Sequence, residues 1–170
     1  MSTGAQIDGD CPPPSGHDGR GAELVDAVMT ASRVLVAIAA RSLAAAGEVS
    51  LPQYRALVVL ASRGPQRAVD LADVLGVNPS SATRLVDRLV RSGLVRRTRE
   101  RSDRRALRVT LSPPGRALVA EVTRRRRAEF ERLLDALPTA QHEQIVSALR
   151  ALADAAGEIP EQDWALRLAD

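Results

Sequence analysis

The sequence predicts a mainly α chain, α+β in class, with one small β-hairpin set between helical segments. Three observations predict it. Apolar residues recur at helical spacing in long stretches toward both ends of the chain. Between them, two short helical patterns meet at Gly76-Val77 and run into two alternating segments joined by a charged turn. The apolar content is mostly Ala, Leu and Val, with Tyr54, Phe130 and Trp164 as the aromatics, a mixture that suits helix packing.

Residues 1–20 are rich in Gly, Pro, Ser and Asp, include Pro12-Pro13-Pro14, and offer little to bury; they predict a disordered tail. From residue 22 to 46, Leu24, Val28, Ala31, Leu35 and Ile38 line one face of a long helix that Gly47 ends. Ser50 and Pro52 open a second helix, which Gly64-Pro65 closes. A short helix over 69–75 stops at Gly76. Asn78 caps the next, with Pro79 at the first helical position, where a missing N–H costs nothing. That helix, 78–92, ends at Ser92-Gly93. Strands are expected at 94–98 and 105–111, and a further helix over 113–137, which Pro138 breaks. The last helix runs over 139–156, and 158–170 is read as a C-terminal tail. The main body is therefore 21–157, with a lobe at about 51–111 framed by helices at 22–46, 113–137 and 139–156.

Charge is concentrated in one place. Residues 84–108 hold ten Arg against Asp87, Glu100 and Asp103, a net of +7, while the stretches on either side are each −2. Such a patch on an otherwise slightly acidic chain is the footprint of a protein that binds nucleic acid. All 24 basic residues are Arg, but that bias runs through the whole chain, as codon usage in a GC-rich genome produces, and is not credited to DNA. The scarcity of aromatics argues against a single-strand binder that stacks bases.

On helix 78–92, counting from Ser80 at roughly 100° per residue, Ala82, Leu85, Val86 and Leu89 fall between roughly 140° and 240°. Ser80, Ser81, Thr83, Arg84, Asp87, Arg88 and Arg91 take the other side. One stripe docks on the preceding short helix; the other faces out. Small hydroxyl residues let a helix N-terminus approach a groove closely, its dipole favours phosphate, and Arg84 is long enough to reach a base edge. A solvated surface helix accounts for Arg88 and Arg91 equally well, but not for the Gly-Val turn before the helix and the hairpin after it.

These residues, with Leu51-Pro52-Gln53-Tyr54-Arg55-Ala56-Leu57, Asp70-Leu71-Ala72, Ser81 through Leu89, Asp103-Arg104-Arg105 and Leu111-Ser112-Pro113-Pro114-Gly115, resemble the MarR family of winged helix-turn-helix regulators. The resemblance covers roughly residues 24–156. It implies a homodimeric regulator of transcription on double-stranded DNA, joined through the first helix and the last two. It further implies a recognition helix, 78–92, in the major groove and a wing, 94–111, in the minor groove. By the same resemblance Ser80, Ser81 and Arg84 face bases, Arg105 is the wing arginine and Asp103 orients it, while Arg101 and Arg104 contact the backbone. Thr83 and Arg88 join them on the outward stripe. Arg97, Arg99 and Arg108 stand evenly between solubilising strand faces and phosphate contact. A small anionic or amphipathic effector acting at the junction of the two regions, and repression of a pseudo-palindromic operator, also follow from the resemblance alone.

Other features lead elsewhere. The run Arg124–Arg127 sweeps most of a helical turn, so Arg126 lies on the apolar stripe of Leu118, Val122, Phe130, Leu133 and Leu137. Its head group must snorkel, pair with a carboxylate or line a cavity; pairing is the expectation. Cys11 is the one cysteine, which excludes an intramolecular disulfide, and a thiol-based redox sensor through it is the first alternative function. A winged-helix scaffold for a protein partner is the second. His17 and His142 have no second ligand at metal spacing, so neither metal nor cofactor is expected, and no arrangement supports an enzyme. The longest strongly apolar run, 34–40, falls well short of the ~20 residues a bilayer span needs. With no secretory signal at the N-terminus, the cytoplasm is the expected location and no membrane a partner. Trp164, Leu166 and Leu168 are expected to pack back on the dimer helices.

Overall fold

The computed structural model describes residues 16–47, 49–99 and 107–165. Helix α1 spans Gly16–Ala44, and the chain divides into two compact units within it, at Ala37/Ile38. The N-terminal unit is a single helical stretch whose Leu24, Val25, Val28, Met29, Val34, Leu35 and Val36 are all exposed. Helix α1 starts at Gly16, inside the segment whose composition predicts a tail. Glycine and aspartate weigh against a helix locally, but they do not prevent one from propagating back from Ala22 onward.

The second unit contains α2 (Leu51–Arg63), α3 (Ala68–Leu75), α4 (Pro79–Arg91), β1 (Val95–Arg99), β2 (Leu107–Leu111), α5 (Pro113–Leu134), α6 (His142–Ala155) and α7 (Glu161–Ala165). Its core gathers Tyr54, Leu57 and Leu60 of α2, Leu71 of α3, Val86 and Leu89 of α4, Val95 and Val109 of the hairpin, and Val119 and Val122 of α5. Each helix start is built from local chemistry. The Gln53 side chain accepts the Ser50 amide at 2.9 Å at the head of α2. Asp70 accepts the Arg67 amide at 3.2 Å at the head of α3. Asn78 Oδ1 accepts the Ser81 amide at 2.8 Å at the head of α4. Asn78→Ala should therefore cost about 1 kcal/mol of stability, read by denaturant unfolding, while Asn78→Ser keeps most of it. Between α3 and α4, Gly76 caps α3 in the left-handed region at φ 66°, which glycine adopts without a Cβ penalty.

Strands β1 and β2 pair antiparallel, Val95 opposite Leu111 through Arg99 opposite Leu107. A further bridge ties the inner strand to the lobe: Gln66 and Val109 exchange both backbone hydrogen bonds, at 3.1 and 2.7 Å.

Three differences from the expected elements have physical causes. Helix α5 stops at Leu134, three residues short of Leu137, because the residue before a proline avoids the α region and the chain turns ahead of Pro138. The stretch beyond Gly157 is more than a tail: Ile159 packs against the core and α7 follows, with Trp164 only 2% exposed. Trp164 joins the core cluster that also holds Val119 and Val122 of α5, α7 contacts α2, and Leu166 and Leu168 lie outside the described residues. Arg126, expected to pair with a carboxylate, has no ion-pair partner among the described residues; its guanidinium lies 5.9 Å from the centre of the Phe130 ring.

Candidate nucleic-acid interface

Helix α4 separates two faces. Ala82, Val86 and Leu89 are buried in the core, fixing the helix against α3. On the other side Ser80, Thr83, Arg84 and Arg88 are exposed, and Ser81 is half-buried. The first turn is wired to its own cap: Ser80 Oγ donates to Asn78 Oδ1 at 2.8 Å, and Thr83 Oγ1 donates to the Pro79 carbonyl at 2.9 Å. With both hydroxyl protons turned inward, these side chains present lone pairs to the outside. Arg84 and Arg88 have no ion-pair partner among the described residues, so their guanidinium charge is unspent.

The wing stem is fastened to this helix. Val95 and Arg97 share a face of β1; the first is buried, and the second reaches back so that its Nη2 lies 2.5 Å from Asp87 Oδ1 on α4. Arg96, Thr98 and Arg99 are exposed along the same strand. From β2, Arg108 donates to the Pro65 carbonyl at 3.2 Å, beside the Gln66–Val109 bridge. Arg67 and Asp70 pair at 2.8 Å, and the Arg67 guanidinium holds the Asp70 carboxyl below the usual carboxylate range.

The structure thus brings Ser80, Ser81, Thr83, Arg84 and Arg88 together on one helix. Arg101, Asp103, Arg104 and Arg105, and Cys11 in the N-terminal segment, lie outside the described residues. Arg97 and Arg108 have partners within the lobe, whereas Arg99 is exposed. Sequence reasoning missed the Asp87–Arg97 link. No local pattern carries it, since the two residues lie on different elements and periodicity does not bring them together.

The same architecture recurs in known proteins. The MarR family model matches residues 49–107, from the start of α2 into the hairpin. The crystal structure of RV1404 from Mycobacterium tuberculosis is similar to 87% of this chain and 99% of its own, at 39% identity and a TM-score of 0.78. The HTH-type transcriptional regulator YfiV of Bacillus subtilis is 28% identical over 108 residues, 64% of this chain and 68% of that protein. A structure of Bordetella bronchiseptica BpsR is 26% identical with a TM-score of 0.58, covering 76% of this chain and 91% of that one; 6-hydroxynicotinic acid regulates that protein's DNA binding. A helix-turn-helix with an outward basic face, a hairpin fastened beside it, and this agreement over most of the chain lead to one conclusion: the chain belongs to the MarR family and is a DNA-binding transcriptional regulator with a winged-helix fold.

Proposed function

We propose that the protein is a homodimeric, effector-responsive repressor that binds a pseudo-palindromic operator, with α4 in the major groove and the wing in the adjacent minor groove. The observation that carries this reading is the outward face of α4. It combines acceptor lone pairs at Ser80 and Thr83 with two guanidiniums that have no ion-pair partner among the described residues, at the head of a segment of net charge +7. Arg84 donates to guanine O6 and N7; Ser80, Ser81 and Thr83 accept from exocyclic amino groups; Arg88 contacts phosphate. Arg105 enters the minor groove, oriented by Asp103, and Arg101 and Arg104 add backbone contacts.

Dimerisation is supported by apolar surface left exposed among the described residues. Leu24, Val25, Val28 and Met29 are exposed on α1, and so are Val146, Leu149 and Leu152 on α6. A twofold axis through such a dimer sets half-sites about one helical turn apart. Effector response is supported by the relative BpsR, whose DNA binding 6-hydroxynicotinic acid regulates.

The test is fluorescence anisotropy against DNA from upstream of the protein's own gene, with a scrambled duplex as control. Tight binding to the native duplex with two chains per site is expected. Arg84→Ala should cost ~1–3 kcal/mol and relax sequence choice, and Arg105→Ala should weaken binding with loss of A·T preference. Equal affinity for both duplexes would overturn the operator reading, and unchanged affinity in either variant would remove that residue from the site.

A further inference from the structure

Of the four consecutive arginines on α5, Arg125 reaches to the end of α1. Its Nη1 donates to the carbonyl of Ala45, the residue just past α1, and its Nε donates to Glu121 Oε1 at 2.5 Å. One turn along, Arg41 of α1 reaches the other way. Its Nη2 lies 2.6 Å and its Nε 3.2 Å from Glu129 Oε2. Both links lie within the second compact unit, which takes in α1 from Ile38 onward. They are four residues apart on each side, Arg41 and Ala45 against Glu129 and Arg125. They therefore form two rungs, about 6 Å apart along each axis, between segments that run in opposite directions.

Two rungs do what one cannot. A single link leaves a helix free to swivel about it, whereas two fix both the rotation of α1 and its slide along α5. The apolar contact between these segments supplies no such register. Leu43 joins the core cluster that holds Val119 and Val122 of α5, but around it stand Ala39, Ala40, Ala44, Ala45 and Ala46, whose short side chains make shallow ridges. Stability does not account for the rungs either. The Arg41 side chain is 60% exposed and that of Arg125 35%, and ion pairs this open to water add little to folding. Selecting one register among several is the better-attested use of polar links between helices.

Arg125 is well set for that task. The Ala45 carbonyl stands at the end of a helix, where the dipole favours a cation. Glu121, one turn back on α5, holds the guanidinium by its Nε side and leaves the Nη side for α1. Arg124 and Arg125 together hold the Glu121 carboxyl below its usual range, so it stays charged at neutral pH. What is fixed here is carried to the reading helix. Only Ser112 separates β2 from α5, and its hydroxyl donates at 2.6 Å to the carbonyl of Gly93, just past the end of α4.

We propose that Arg125, oriented by Glu121 and assisted by the Arg41–Glu129 pair, is a positioning residue that sets the register of α1 on α5 and thereby the placement of the two DNA-binding lobes in the dimer. The inference deepens the homodimeric reading and rests on it, since α1 is there a helix that couples the protomers.

The distance between the lobes is the test. Cys11, the one cysteine, is changed to Ser, and Asp73→Cys puts a nitroxide on an exposed residue of α3 that has no part in the DNA contacts named above. Pulsed electron double resonance on the full chain reads the separation of the two labels in a dimer, and anisotropy reads binding to the upstream duplex. The labelled parent should give one narrow distance. Arg125→Met and Arg41→Met should each at least double its width and weaken DNA binding severalfold, with the melting temperature kept. Arg124→Met is the control, because Arg124 shares Glu121 but has no hydrogen bond to α1 among the described residues. It should leave both readouts unchanged. A distance that stays narrow in Arg125→Met, equal broadening in Arg124→Met, or broadening that comes with a lowered melting temperature would each overturn the proposal alone. Absence of any inter-label distance in the parent would overturn the dimeric reading, and the proposal with it.

Discussion

Between roughly 50 and 200 mM salt, affinity for operator DNA should fall by about 10³ to 10⁵, the loss expected when a dimer neutralises about six to ten phosphates. The basis is the number of arginines the lobe leaves unspent. Arg84 and Arg88 on α4 and Arg96 and Arg99 on β1 are exposed, and two copies double the set. Arg97 is subtracted, because Asp87 already holds it. A plot of log affinity against log salt is the measurement. A slope near zero would mean that the basic segment serves some other partner. Asp87→Asn should steepen the slope, since it releases Arg97 toward the phosphates.

Gly115→Ala should destabilise the fold by roughly 3 kcal/mol or more, although alanine is the better helix former by about 1 kcal/mol. A Cβ at Gly115 would stand 2.0 Å from the Leu94 carbonyl oxygen and 3.3 Å from Leu111 Cδ2. The obstacle is backbone, and it is pinned. Leu94 O accepts the Ser112 amide at 3.1 Å, and Ser112 Oγ donates to the Gly93 carbonyl at 2.6 Å while accepting the Gly115 amide at 3.1 Å. Ser112, itself buried, thus joins the end of α4 to the start of α5. For a chain of this size the melting temperature should drop by roughly 6–12 °C. Denaturant unfolding within half a kcal/mol of the parent would show that the α4–β1 turn yields, and would sink the argument.

What the sequence made legible is what local chemistry encodes. Helix α4 was readable to its cap because Asn78, Pro79 and the apolar stripe Ala82, Val86, Leu89 all lie within one short window. The alternation in 94–111 announced the hairpin, and Pro113-Pro114 announced the start of α5. The face of α4 that gathers Ser80, Ser81, Thr83, Arg84 and Arg88 followed from the same periodicity. Long-range partners left no such trace. Nothing in the sequence distinguishes Gln66 as the residue that bridges Val109, or Gly115 as the point where a turn presses on a helix. Periodicity put Arg126 on the apolar side of its helix correctly, but its neighbours are set by tertiary packing, and they proved to be Phe130, Tyr54 and Thr123 in place of a carboxylate. Helix α7 is too short for any periodic signal, and the burial of Trp164 is decided by a core cluster drawn from elements far earlier in the chain, α2 and α5 among them.

The fastening of the hairpin has a consequence for how operators are discriminated. With Arg97 paired to Asp87 and Val109 bridged to Gln66, the stem of the wing is tied both to α4 and to the segment before α3. In the proposed operator complex, insertion of a base pair inside a half-site should therefore cost more affinity than one between half-sites. Insertion between half-sites is a different problem, met by whatever joins the two lobes. In the proposed dimer, tolerance to spacing would therefore be a property of the helices that couple the protomers, free to drift without a change in the bases read.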